Sequence, residues 1–305
     1  MVAQRGQWDM RGRTVLVSGG TGGIGFETAR CLARHGAHVI ITGRDAGHGE
    51  HAATVIRSES GGTSVTFIQA DHSTVGGNQR VADHVRNTFP GLNVLINNVG
   101  GLYETRRETA DGYEATLAMN FVGPFALTTE LLPLVEGNGP TRCVNVVSAA
   151  IRMYKGDPFD DVQSKAGFIG ADAYGQTKLL NVLFTLALAK RIAPELVTVN
   201  MVHPGVTWTD MTRSQTWRAN PSWRWIWPVM RLIMRHGSPE KAARRVVFLA
   251  SSPEAQAYTG QYFERKRTPK PLSARELDSG LQERAWELGS ELMAHAPTSL
   301  QPARS

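Results

Sequence analysis

The chain has 305 residues, 41% of them hydrophobic and 20% charged, the balance of a globular protein and not of a disordered or fibrous one. Lys and Arg number 33 against 27 Asp and Glu, a formal charge of +6, and the length allows one or two domains with a large buried core. Two cysteines, Cys31 and Cys143, are too few for a disulfide scaffold or a cysteine-rich metal centre. Both lie in apolar periodic stretches that suit buried thiols. The nine histidines are scattered, and His48 and His51 lack the companions of a metal site, so no metal is expected. Residues 1–10 hold no apolar signal-peptide core, and no apolar run approaches the ~20 residues of a membrane span. The expectation is a soluble, cytoplasmic protein.

Short β-branched runs alternate with helical patterns over the first two hundred residues. Strands are expected at Thr14–Val17, Val39–Thr42, Val65–Ile68, Val94–Ile96, Cys143–Val147 and Val197–Asn200. Helices are expected near Gly23–His35, Gly47–Ser58, Thr74–Phe89, Thr109–Val135 (with a break at Pro124) and Asp172–Ile192. The strands are apolar on both faces, which means a parallel sheet covered by helices on both sides. Strand–helix alternation at this spacing predicts an α/β, doubly wound Rossmann fold in one domain.

The first strand runs directly into Ser18-Gly19-Gly20-Thr21-Gly22-Gly23-Ile24-Gly25. Glycines permit a tight turn and let a pyrophosphate approach the backbone at a helix N-terminus, where open N–H groups favour anions. Five glycines in seven positions satisfy three spacings, Gly20/Gly22/Gly25, Gly19/Gly22/Gly25 and Gly19/Gly23/Gly25. The loop therefore indicates a nucleotide without naming a subfamily. At the end of the second strand an acid would bind ribose hydroxyls, whereas an Arg accommodates a 2′-phosphate. Gly43-Arg44-Asp45 stands there; Arg44 offers a fork to phosphate, and Asp45 suits a helix N-cap. The expected cofactor is NADP (NADPH).

Tyr174 and Lys178 are four apart, hence on one helical face. A free tyrosine, with a pKa of about 10, transfers protons poorly near neutrality. A cation one turn away, with the positive nicotinamide, favours the phenolate. Ser148 closes the fifth strand at the carboxyl edge, where such sheets bind ligands.

With these motifs the sequence resembles the short-chain dehydrogenase/reductase family. The resemblance rests on Gly19-x-x-x-Gly23-Ile24-Gly25, Asp71 after the third strand, Asn97-Asn98-Val99-Gly100, Asn120, Ser148, Tyr174-x-x-x-Lys178 and His203-Pro204-Gly205-Val206. It is most similar to the retinol-dehydrogenase-like branch, through Met119-Asn120-Phe121-Val122-Gly123, the run from Tyr174 to Phe184, Thr259-Gly-Gln-Tyr-Phe263 and Ala285-Trp286-Glu287. The likeness implies a mainly parallel, seven-stranded sheet. It divides the single domain (1–305) into a cofactor-binding and catalytic core (10–202), a substrate lid (203–245) and a last helix, strand and tail (246–305).

Roles follow from the resemblance. Tyr174 is the implied general acid or base, and Lys178 binds the nicotinamide ribose and depresses the tyrosine pKa. Ser148 holds the substrate oxygen, stabilising developing charge, and Asn120 serves a proton relay from Lys178. The implied cofactor-binding set is Gly19, Thr21, Gly22, Gly23, Ile24, Gly25, Arg44, Asp71, His72, Asn97, Asn98, Val99 and Gly100, with Tyr174, Lys178, Pro204, Gly205, Val206 and Thr207 around the nicotinamide. Three features depart from the family pattern: Ser18 for Thr, Val99 for Ala, and a spacing of 26 positions from Ser148 to Tyr174, whose excess (152–169) forms a loop near the pocket.

The segment 205–245 carries eight basic and two acidic residues, a surplus equal to that of the whole chain, and five of the seven Trp. Trp208, Met211, Trp217, Trp223, Trp227 and Met230 are the candidate lid residues, and Pro228 suits the start of a short helix. Aromatics and methionines fit a large apolar ligand. Peripheral contact with an anionic membrane or a subunit interface of a homodimer or homotetramer are alternatives; nucleic acid is not expected as a partner. The expected function is NADP-dependent hydride transfer on a bulky lipophilic ketone, aldehyde or alcohol. The competing readings are a non-catalytic NADP-binding scaffold or redox sensor, and a dehydratase or epimerase that recycles its cofactor.

Overall fold

A computed structural model describes residues 9–297 apart from 208, 209 and 214, and without the side chains of 210, 211 and 233. Seven strands form one parallel sheet in the order β3-β2-β1-β4-β5-β6-β7. They are β1 (Thr14–Val17), β2 (His38–Gly43), β3 (Val65–Gln69), β4 (Val94–Asn97), β5 (Thr141–Val146), β6 (Val197–Val202) and β7 (Tyr262–Phe263). The order reverses between β1 and β4, and a doubly wound sheet opens a crevice at its carboxyl edge there.

Alternation along the strands divides the core into two layers. Leu16, Ile40, Leu95 and Cys143 point to one face, Val15, Val39, Val94 and Val144 to the other. The first face is covered by α3 (Val75–Thr88), α5 (Gly123–Glu136), α6 (Gly170–Arg191) and α11 (Ser279–His295). The second is covered by α1 (Gly23–Arg34), α2 (Ala46–Glu59) and α9 (Pro239–Ser251). Strands buried on both sides must be apolar throughout, so they were readable as uninterrupted β-branched runs.

The expected helix at Thr109–Val135 differs in two ways. Residues 109–114 form a turn instead, with Gly112 at φ +78° and a bridge between Glu108 and Glu114. The helix begins at α4 (Ala115–Leu117), capped by the Glu114 carboxylate, which accepts from the amides of Thr116 and Leu117 at 2.8 Å each. It is widened, not broken, before Pro124: Ala118–Val122 is a π turn that continues directly into α5. Pro124 has no N–H to give the preceding turn, and the wider turn accommodates that loss. The stretch Ala115–Glu136 is long and apolar enough to cross a membrane by length and composition, yet two thirds of its apolar window is buried inside the fold. It serves here as a core helix.

Beyond β6 the chain forms α7 (Asp210–Arg213), two single 3-10 turns and α8 (Trp227–Arg235), then α9, β7, α10 (Ala274–Leu277) and α11. The helix expected at Pro228 is thus α8, with Pro228 in its first turn.

Candidate active site

The turn from β1 to α1 is held by interlocking backbone contacts. The Gly19 and Gly20 amides donate to Oγ1 and the carbonyl of Thr42 on β2, each at 3.1 Å. Ser18 Oγ accepts from the amides of Asn98 (3.0 Å) and Val99 (3.2 Å), and the Asn98 amide group donates to the Ser18 and Gly19 carbonyls. The serine found in place of threonine therefore keeps its structural hydroxyl. Gly25 is obligatory: a Cβ there would lie 2.2 Å from the Gly19 carbonyl oxygen. At Gly19, with φ +65°, a Cβ would lie 2.9 Å from Val99 Cγ2, so the larger residue at 99 closes directly on the loop. Gly22 caps α1 without any side-chain bond, which leaves the helix N-terminus open to an anion.

His72 lies beneath this turn, 4% exposed. The Asn78 amide nitrogen donates to the Thr74 and His72 carbonyls, so its oxygen accepts from His72 Nδ1 at 2.6 Å. Nε2 is then the acceptor for Thr42 Oγ1, also at 2.6 Å. Burial lowers the imidazole pKa and keeps it neutral. His72 thus braces Thr42, which in turn holds Gly19.

One cavity of about 590 Å³ collects most of the expected residues. Gly19, Thr21, Gly22, Gly23, Ile24, Arg44 and His72 line one end. Asn98, Val99, Gly100, Ser148, Tyr174, Lys178 and the loop Pro204, Gly205, Val206 and Thr207 line the middle. Trp223, Met230 and Met234 line it from the segment between β6 and α9. Arg44 is exposed at the rim, and Asp45 caps α2, accepting from the His48 amide at 2.7 Å.

Several expected residues stand elsewhere. Asp71 is exposed outside the cavity lining, its carboxylate bonded to the amide and hydroxyl of Ser73. Asn97 points into the core, donating to Asn145 (2.7 Å) and Thr128 (2.8 Å). Trp217 is 39% exposed, and Trp227 is buried beneath Trp223, rings parallel with centroids 6.5 Å apart. Trp208 and the side chain of Met211 lie outside the described residues. Met153 and Tyr154 join the lining from the long connection between β5 and α6, and Ala171 and Asp172 from the first turn of α6. That connection was legible as a loop near the pocket, but nothing in its composition singled out these residues.

The polar centre sits where β5 and α6 meet. Ser148 accepts from the Ala150 amide at 3.2 Å. Burial pushes the Tyr174 phenol above its usual pKa, a rise that a hydrogen bond with Ser148 offsets only in part. Lys178 is 3% exposed; its Nζ donates to the Val146 carbonyl at 2.9 Å and lies 6.0 Å from the Tyr174 ring centroid. Burial pushes this ammonium down to about 8. Asn120, in the π turn, is fully buried and holds Gly101 through both ends of its amide, at 2.9 and 2.8 Å. Asn120 meets Lys178 across Gly100, where a Cβ would sit 2.9 Å from Asn120 Oδ1 and 3.2 Å from Nζ. The Asn120 backbone carbonyl accepts from Asn181 at 2.7 Å. A phenol, a hydroxyl and a sealed ammonium on one cavity wall can together move a proton to or from a ligand oxygen.

Residues 13–219 match the family model of the short chain dehydrogenases, and the chain belongs to that family. It is an oxidoreductase, and the fold of this family binds a nicotinamide cofactor. Polyprenol dehydrogenase of Mus musculus is 34% identical over 288 residues, covering 92% of this chain and 84% of the relative. Retinol dehydrogenase 12 of Mus musculus is 34% identical over 282 residues, covering 92% and 86%. Among solved structures, the Pseudomonas aeruginosa RhlG/NADP active-site complex has a TM-score of 0.66 at 26% identity, covering 90% of this chain and 98% of the other. A short chain dehydrogenase from Burkholderia cenocepacia J2315 in complex with NADP also scores 0.66 at 26%, covering 84% and 97%. The open α1 N-terminus and the glycine cradle that a Cβ would fill fit such a cofactor.

The buried lysine has a consequence for stability. Between its folded pKa of about 8 and the 10.5 of a free lysine, the unfolded chain binds more protons, so stability rises with pH. Relative to Lys178→Met, the cofactor-free protein should gain about 2 kcal/mol between roughly pH 7 and 9.5. Urea unfolding of both proteins across that window measures it, and parallel curves would contradict the assigned burial.

Proposed function

We propose that this chain transfers hydride between NADP(H) and a bulky lipophilic carbonyl/alcohol pair, a ketone or aldehyde in one direction and a secondary or primary alcohol in the other. The observation that carries this reading is the meeting of Ser148 and Tyr174 on the wall of a cavity bounded by the glycine loop at one end and by Trp and Met side chains at the other. The nicotinamide, when bound, supplies or accepts the hydride. Tyr174 gives its phenolic proton to the nascent alkoxide in reduction and takes it back in oxidation. Ser148 donates to the same oxygen, where negative charge develops. Lys178, still mainly charged at neutral pH with a pKa of about 8, favours the phenolate and so offsets the upward push of burial on Tyr174. The Val146 carbonyl, accepting from Nζ at 2.9 Å, holds that ammonium 6.0 Å from the ring centroid. For cofactor choice, Arg44 at the rim takes the 2′-phosphate, and the absence of an acid at Gly43 removes the repulsion a phosphate would meet. The relatives named retinol and polyprenol dehydrogenase support a lipophilic substrate.

Tyr174→Phe should lower kcat by at least about 10²-fold while NADPH binding, read by fluorescence titration, is unchanged; retained turnover refutes the assignment. Arg44→Ala should weaken NADPH about 10- to 100-fold and leave NADH nearly unaffected. Equal losses for both cofactors would overturn the 2′-phosphate role.

We also infer peripheral contact of the lid with an anionic membrane, from which such a substrate would enter. Trp225 (82% exposed), Ile226, Val229 and Leu232 stand outward on and just before α8, interspersed with Arg224, Arg231 and Arg235. Apolar groups ringed by cations suit shallow insertion among acidic headgroups, each cation contributing about 1 kcal/mol near the surface. The protein should sediment with phosphatidylserine vesicles, and Trp225→Ser/Val229→Ser/Leu232→Ser should reduce partitioning by at least about 10-fold. Absence of sedimentation by the unaltered chain would reject the contact.

A further inference from the structure

A second concavity, of about 300 Å³, shares no lining residue with the first and reaches its Pro204 loop through Arg245. Its wall carries six cations: Lys241, Arg244 and Arg245 from α9, and Arg265, Lys266 and Arg267 from the run that follows β7. Its floor is aromatic, Phe248 and Phe263 packed edge to face at 6.1 Å, with the Arg267 guanidinium 5.5 Å from the Phe248 centroid. No carboxylate lines it among the described residues. Glu264, in the same run, is engaged by Arg152 at 3.4 Å and by Lys270, and Glu240 accepts from the Ser238 hydroxyl and interacts electrostatically with Arg30 and Arg244.

Six like charges around one hollow repel one another, and a cleft of one sign with low-dielectric walls concentrates ions of the other sign. Four of the six are arginines, whose planar forks match phosphate oxygens in pairs. We propose that this cleft is a binding site for a phosphate-bearing ligand of at least two negative charges, distinct from the cofactor cavity and coupled to it. A soluble phosphate ester and a phosphorylated lipid headgroup share the recognised chemistry. The coupling runs through Arg245, which lines the cleft and also donates to the Pro204 carbonyl. Pro204 to Thr207 line the cofactor cavity, with Gly205 at φ +95°. A ligand that draws on Arg245 changes what holds this loop, and by linkage cofactor binding changes the ligand's affinity equally. The coupling rests on the cofactor reading above; binding in the cleft does not.

The test is calorimetric titration of inorganic pyrophosphate into the NADPH-saturated full chain at low ionic strength, where charge attraction is least screened. One site is expected, weakened at least about 10-fold by Arg265→Ser/Lys266→Ser/Arg267→Ser. It should persist in Arg44→Ala and in Lys155→Ser/Lys165→Ser/Lys190→Ser, a charge-matched control at exposed lysines elsewhere. No binding, equal binding by the cleft variant, or equal loss in the lysine control would overturn the site. Vesicles containing phosphatidic acid displace pyrophosphate if a lipid headgroup is the natural source, and leave it bound if the source is soluble; both results uphold the site. Coupling predicts that pyrophosphate alters NADPH affinity differently in the unaltered chain and the cleft variant, and identical dependence overturns that half. Calorimetry reads binding without turnover, so failure here is separable from failure of the catalytic assignment.

Discussion

An ammonium group sealed inside the fold is the constraint around which the site is arranged. Lys178 is almost without solvent contact and has the Val146 carbonyl as a hydrogen-bond acceptor. Such a charge is costly to bury, and its neighbourhood is correspondingly polar and rigid. Asn97, Asn145, Thr185, Asn181 and Asn120 form a continuous chain of hydrogen bonds from β4 and β5 through α6 to the π turn, with links of 2.7 Å. The seam locks the central strands β4 and β5 to the helix that carries both Tyr174 and Lys178. Their separation is thereby set by the core and not by the flexible side chains themselves.

The glycine loop is governed by the same kind of over-determination. Ser18, Asn98, Thr42, His72 and Asn78 fix its course before any ligand arrives, so the open end of α1 faces the cavity without a side chain across it. Preorganisation of this kind spares the loop an ordering cost on binding. The segment between β6 and α9 is built differently, from short turns and one nine-residue helix, with apolar groups facing both the cavity and the outside.

Much of this was legible in the residues, for identifiable reasons. Strands buried on both faces cannot hide, and Gly25 admits no side chain, so the β1–α1 unit announced itself. The spacing of Tyr174 and Lys178 survives translation into a helix because α6 is long and regular. Asn97 and Asp71 were harder, since the same amide or carboxylate serves equally to brace a core or cap a turn, and only tertiary contacts decide which. The helix start at Ala115 was obscured by Thr109-Ala-Asp-Gly, whose turn depends on the left-handed Gly112. The basic surplus was misleading in a similar way. A sequence window groups Lys241, Arg244 and Arg245 with the residues before them, whereas in the fold they stand on α9 and line one concavity with Arg265, Lys266 and Arg267 from a segment twenty residues downstream.

The widened turn at Ala118–Val122 carries one residue more than an ordinary helical turn would need. Loss of a single residue there would restore regular winding and rotate everything before it by about 100° relative to α5. Asn120 would leave the face it shares with Gly101 and Lys178, though every side chain of the site were still present. The residue count of this buried turn is itself part of the active site.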